Sequence, residues 1–146
     1  MLFLWVFGVN VEDAMGHLRF LAFYLLCGLL AGLAHALMTP GSGIPLIGAS
    51  GAVAGVIAAY LMLHPRVRVW VLVFKVIPMQ VSAAIVLGLW VLTQFVMVVL
   101  PQGPGEPGAV AWWAHIGGLI AGAVLVLIMR RPGVPLYAKG LGTYAP

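Results

Sequence analysis

Residues 45–55 read PLIGASGAVAG and place one serine, Ser50, among glycine and alanine where an apolar segment begins. Small side chains let the helices of a membrane protein approach each other closely. The stretch therefore predicts the start of a closely packed helix with a single hydroxyl group at its end, and it raises the question of what that hydroxyl does.

The composition of the whole chain is that of a membrane protein. Of its 146 residues, 64% are hydrophobic and 7% are charged, which is too little polar surface to cover a water-soluble globule. The single cysteine, Cys27, excludes an intrachain disulfide. The net charge is +4, but the basic residues are scattered among loops, so no nucleic-acid partner is expected.

Four apolar segments are long enough, or nearly so, to cross about 30 Å of hydrocarbon as helices. They are residues 20–38, 49–64, 76–100 and 112–129. Pro78 is compatible with the third segment because it falls in the first helical turn. The predicted fold class is all-α, a polytopic bundle of transmembrane helices with four full spans.

The two ends of the chain differ from these segments. Residues 1–8, MLFLWVFG, are apolar but too short to cross, and they are interpreted as the inner end of a preceding span in an N-terminally truncated chain. Residues 132–146 have no apolar period and are expected to form a loose cytoplasmic tail. The predicted membrane domain is therefore 1–131.

The positions of the cations predict the orientation in the membrane. All seven fall on one side of the predicted spans: Arg19, Arg66, Arg68, Lys75, Arg130, Arg131 and Lys139. The loops 39–47 and 101–111 contain no Lys or Arg. The positive-inside rule therefore places both loops outside and the C-terminus in the cytoplasm.

Ser50 and His115 are predicted to share a depth in the membrane. At about 1.5 Å per residue, Ser50 lies about 24 Å above Arg66, and His115 lies about 22 Å above Arg130. His35 lies about 24 Å above Arg19 by the same measure, so depth does not exclude it as a partner of Ser50.

Ser50 and His115 also each border a stripe of small side chains. Gly51, Gly55 and Ala58 share one face of the Ser50 helix, while Gly118 and Gly122 share a face with His115. Packing of the two stripes would bring hydroxyl and imidazole together. His35 lacks such a stripe and ranks second.

A hydroxyl beside a neutral imidazole can act as a nucleophile, and the unpaired N–H groups at a helix N-terminus can stabilise an oxyanion. The alternative is that Ser50 only caps or packs its helix. An intramembrane histidine favours the functional interpretation. No carboxylate is well placed as a third member, and the sequence predicts no metal site and no cofactor.

Three motifs stand at these positions: GASGA at 48–52; Ala114-His115 followed by Gly118 and Gly122; and Gly8, Glu12, Gly16 and Arg19-Phe20 in series. Together with the order of the spans, they resemble the rhomboid family of intramembrane serine proteases. The resemblance covers roughly residues 1–131.

The resemblance implies that Ser50 is the nucleophile and that His115 is the base and then the acid. It implies single-span transmembrane proteins as substrates, cut near the outer face of the lipid bilayer. The span 76–100 corresponds to a proposed lateral gate, and the loop 101–111 to a cap over the site. The expected location is multi-pass in a membrane, the bacterial inner membrane being the favoured one.

The sequence departs from the family pattern in two respects. The His and Asn that help to hold the oxyanion in the family would precede Met1. The aromatic residue that often stacks on the catalytic histidine is replaced by Ala54, which leaves the orientation of the imidazole to other groups. An inactive rhomboid-like protein that binds or escorts membrane clients is the alternative function, and a transporter or channel has no intramembrane charge to support it.

Overall fold

The elements of the fold come from a computed structural model, which describes residues 2–41, 49–73, 77–100 and 111–138. In chain order they are α1 (Leu2–Met15), α2 (His17–Met38), α3 (Ser50–Leu63), β1 (Arg68–Val73), β2 (Ile77–Ser82), α4 (Ala83–Val99) and α5 (Trp112–Met129).

Helix α3 lies at the centre of the bundle and contacts all four other helices. Ten of its 14 residues are buried, including the large Tyr60 and Leu63 near its C-terminal end. A helix that is apolar all round is typical of the interior of a bundle. Because α3 combines small residues with a few large ones, other helices can pack on every side of it.

The outer helices expose large apolar side chains to the surroundings. Leu29 on α2, Val99 on α4 and Ile128 on α5 are 69%, 82% and 73% exposed. Extended apolar surface of this kind marks contact with lipid or another protein. Only α2 and α5, among the described residues, are long and apolar enough to cross a membrane. The helical bundle is confirmed, whereas the number of full spans stays a prediction.

A β-hairpin precedes α4, so the predicted start of the third segment at residue 76 is wrong. Strand β2 pairs antiparallel with β1, from Arg68 opposite Ser82 to Val73 opposite Ile77. The run RVWVLV is rich in β-branched and aromatic residues, which favour strands, and its partner IPMQVS contributes Ile and Val. Pro78 is therefore in a strand and not in a first helical turn, and a two-stranded sheet tolerates it because both strands are edges.

Helix α4 consequently begins at Ala83. Ser82 is its N-cap, and the Ser82 hydroxyl accepts a hydrogen bond from the Ile85 N–H at 3.4 Å. Only Ala83, Leu87 and Gln94 of this helix are buried, so most of α4 lies on the surface of the bundle.

The apolar N-terminal residues belong to a helix that continues to Met15. It ends before Gly16, whose φ of 90° is rarely adopted by residues with a side chain. A methyl group at this position would lie 2.9 Å from Arg131 Nη2. The Arg131 N–H donates to the Ala14 carbonyl at 2.9 Å, so the end of α5 is fixed to the turn between α1 and α2.

The segment 132–138 is not loose. Val134 is buried, and the N–H groups of Tyr137 and Ala138 donate to the carbonyls of Met62 and Leu63 at 2.7 and 2.9 Å. These are carbonyls of the last turn of α3, which have no partner within the helix. The prediction of a loose tail is wrong here, and residues 139–146 lie outside the described part of the chain.

Candidate active site

In the interface between α3 and α5, the backbones of four glycines come into close contact. A methyl group added to Gly118 would overlap the Gly51 carbonyl oxygen, and one added to Gly122 would lie 2.5 Å from the Gly55 Cα. No side chain larger than hydrogen fits at Gly118 or Gly122 without moving the helices. The predicted packing of the two small-residue stripes is confirmed.

Helix α2 packs against the same small residues of α3. A methyl group at Gly51 would lie 2.5 Å from Ala31 Cβ, and one at Gly55 would lie 2.5 Å from Cys27 Sγ. Cys27 is buried at this contact as a free thiol. The N-terminal half of α3 is therefore held between α2 and α5 at the smallest separation that side chains allow.

Ser50 is the first residue of α3. The N-cap is Ala49, whose carbonyl accepts the first helical hydrogen bond from Val53 N–H at 3.0 Å. The N–H groups of residues 50–52 have no acceptor within the helix. The Ser50 side chain is exposed and its hydroxyl bonds to no described residue, so the structure does not support the alternative role as a helix cap.

A small cavity of about 40 Å³ borders Ser50. Its walls come from α2, the start of α3 and Ala114, and they include Gly28, Gly32 and Gly51. A space of this size is sufficient for at least one water molecule. The hydroxyl of Ser50 therefore has room beside it for a small polar group.

His115 lies in the first turn of α5, where its N–H donates to the Ala111 carbonyl at 3.2 Å. The side chain is buried, with 7% of the residue exposed. Its Nδ1 lies 2.6 Å from Gln94 Oε1 on α4. The rings of Trp90 and Trp112 lie 5.7 and 6.0 Å from the imidazole, centroid to centroid.

Ser50 and His115 occupy the same end of two neighbouring parallel helices. The order of the glycine contacts, Gly51 to Gly118 and Gly55 to Gly122, fixes this direction. Within the described ranges, no hydrogen bond joins the Ser50 hydroxyl to the imidazole. The catalytic pairing of Ser50 with His115 therefore stays a prediction.

His35 stays the alternative partner. Its Nδ1 is buried and has no hydrogen bond. Gly32, one turn earlier on α2, lines the cavity beside Ser50. Because α2 runs antiparallel to α3 along their contacts, His35 lies toward the same end of the bundle as Ser50.

The site contains a polar residue that the sequence prediction does not include, Gln94. Its signal in the sequence is the pair Thr93-Gln94 in the middle of an otherwise apolar segment. Polar side chains inside a membrane helix face the bundle interior and find partners there. Gln94, which is 3% exposed, follows this rule by bonding to His115.

Other groups do not add to the site. Glu12 lies at the far end of the bundle, where its carboxylate pairs with His17 Nδ1 at 2.5 Å. In the ranges that the structure describes, no three His, Cys, Asp or Glu side chains come together to hold a metal ion. The predicted cap, 101–111, lies outside the described residues except for Ala111.

Comparison with known proteins identifies a family. Residues 1–132 match a family model described as "Rhomboid domain". No curated protein and no solved structure matches the chain significantly.

Proposed function

Because the chain belongs to the rhomboid family, whose members are generally serine intramembrane proteases, we propose that it is an intramembrane serine endopeptidase that cleaves single-span transmembrane proteins near the outer face of the membrane. Ser50 is the nucleophile and His115 is the general base. The observation that carries the proposal is the backbone contact between the glycines of α3 and α5, because it holds the two residues at one end of adjacent helices.

The chemistry follows from the groups at that end. Nε2 of His115 takes the hydroxyl proton of Ser50 as Oγ attacks the carbonyl carbon of the scissile peptide bond. The unpaired N–H groups at the start of α3 stabilise the oxyanion. The imidazolium then gives the proton to the leaving amine, and the C–N bond breaks to leave an acyl ester on Ser50.

The second half of the reaction needs water. A water molecule gives a proton to Nε2, attacks the ester carbonyl and releases the new carboxyl group, while Oγ recovers its proton. The cavity beside Ser50 supports this step because it has room for water next to the ester. The positive-inside rule supports an orientation in which this end of the bundle faces the outer side of the membrane.

Ser50→Ala tests the proposal directly. The intact protein is expected to cleave a transmembrane reporter, and Ser50→Ala is expected to abolish cleavage while expression and membrane insertion are unchanged. Ser82→Ala is the matched control, because it removes the cap of α4 at a cost of about 1 kcal/mol but leaves the nucleophile in place. Cleavage by Ser50→Ala at the wild-type rate contradicts the proposal.

The second candidate is a rhomboid-like protein that binds or escorts membrane clients without cutting them. It is favoured by one observation: no hydrogen bond joins Ser50 and His115 in the described parts of the chain. A fluorophosphonate probe separates the two functions. Covalent labelling at Ser50 supports the enzyme, and the absence of labelling in the intact protein supports the binder.

A further inference from the structure

Gln94 and His115 form a buried hydrogen bond between two helices. The Nδ1 and Oε1 atoms are 2.6 Å apart, and both side chains are almost fully buried. The partners belong to α4 and α5, so the bond fixes the imidazole relative to a different helix from its own. This contact occupies the place that a carboxylate takes in a catalytic triad.

The neighbours of Gln94 establish which way its amide points. The amide nitrogen, Nε2, donates to the Trp90 carbonyl and to Thr93 Oγ1, both at 3.0 Å. The Thr93 hydroxyl itself donates to the same carbonyl at 2.6 Å, which leaves its oxygen free to accept. A carbonyl oxygen only accepts, so the NH₂ group must face Trp90 and Oε1 must face His115.

This amide orientation determines the tautomer of the neutral imidazole. Oε1 can only accept a hydrogen bond, so Nδ1 of His115 carries the proton and donates it. The lone pair is then on Nε2, which makes no hydrogen bond with a described residue. A neutral imidazole in this tautomer is ready to accept a proton from a hydroxyl.

We propose that Gln94 is the positioning residue of the site, which holds His115 in the Nδ1–H tautomer with Nε2 available as the base. The role of Gln94 in catalysis rests on the proposed function. The rings of Trp90 and Trp112 also lie near the imidazole, with ring centroids 5.7 and 6.0 Å away. In this proposal they restrict the imidazole in place of the aromatic residue that the family resemblance predicts at the position of Ala54.

The first test compares two substitutions of similar length in the intact protein. Gln94→Met removes the acceptor and is expected to lower kcat about 10- to 100-fold, with KM within about twofold of the wild type, since only proton transfer is affected. Gln94→Glu restores an oxygen on the same stem and is expected to recover most of this loss. Gln80→Met is the matched control, because Gln80 is an exposed residue of β2.

An unchanged kcat for a folded Gln94→Met variant overturns the proposal, as does a Gln94→Glu variant no more active than Gln94→Met. Thermal unfolding in detergent establishes which variants are folded. Ser50→Ala is measured in parallel: if it still cleaves the reporter, the proposed function has failed, and if it does not while Gln94→Met is fully active, only the role of Gln94 has failed.

The second test needs no activity and no substitution at Gln94. ¹⁵N-histidine NMR of the inactive Ser50→Ala protein in micelles, with His115→Ala used to assign the resonances, reports which ring nitrogen is protonated. The Nδ1–H form of His115 is expected at a pH where the ring is neutral. Observation of the Nε2–H form overturns the proposal.

Discussion

The two sides of helix α5 make different kinds of contact. Toward α3, glycine backbones touch and no side chain intervenes, as at Gly122 and Gly55. Toward α4, the contact runs through long side chains and a hydrogen bond to Gln94. The spacing between the proposed nucleophile and base therefore depends on a backbone contact, whereas the orientation of the base depends on α4, which is less buried than α3.

Substitution of the two candidate bases gives the largest expected effect. His115→Ala is expected to lower kcat about 1,000-fold, because general base catalysis is lost. His35→Ala is the matched control and is expected to retain most of the activity. Cleavage rates of a transmembrane reporter measure both. If His35→Ala abolishes cleavage and His115→Ala does not, the base is on α2, and neither side of α5 orients the base.

The rigidity of the α3 contact is tested by a pair of glycines. Gly122→Ala forces a methyl group against Gly55 and is expected to lower the free energy of unfolding by about 2 to 3 kcal/mol. Gly88→Ala on α4 meets no atom within 4 Å and is expected to stay within about 1 kcal/mol of the wild type. Unfolding in detergent measures both, and equal effects would contradict the close backbone contact at Gly122.

The smallest effect is expected on the outer face of α4. Leu89 is 62% exposed, so Leu89→Ala creates no internal cavity. The free energy of unfolding is expected to change by about 0.5 kcal/mol or less. A loss of several kcal/mol in the same unfolding assay would mean that α4 is packed more firmly than its few buried residues indicate.

The sequence was sufficient to predict the glycine contacts and to predict that Ser50 and His115 lie at the same end of the bundle. Glycines spaced by four residues mark one face of a helix, and two such faces have few other places to pack. The family motifs agree with the match over residues 1–132. These features depend on the spacing of residues along a single helix, and this spacing can be read directly from the sequence.

The hairpin and Gln94 were beyond that kind of reasoning for different reasons. Residues 77–82 are apolar enough to extend a helical span, and hydropathy does not separate a strand from a helix in so short a run. Gln94 is conspicuous as a polar residue in α4, but its partner, His115, is on another helix. The contacts of segment 132–138 are made by backbone N–H groups, which nearly all residue types have, so the sequence does not predict them.

The central position of α3 has a consequence for biosynthesis. The ribosome makes α3 before the hairpin, α4 and α5, so the carbonyls of Gly51 and Gly55 enter the bilayer without the glycines that later cover them. Among the described residues, α3 has no large exposed apolar side chain that could contact lipid. The final geometry around Ser50 therefore forms only after α5 has been translated and inserted, which makes the end of the bundle that carries Ser50 and His115 one of the last parts to mature.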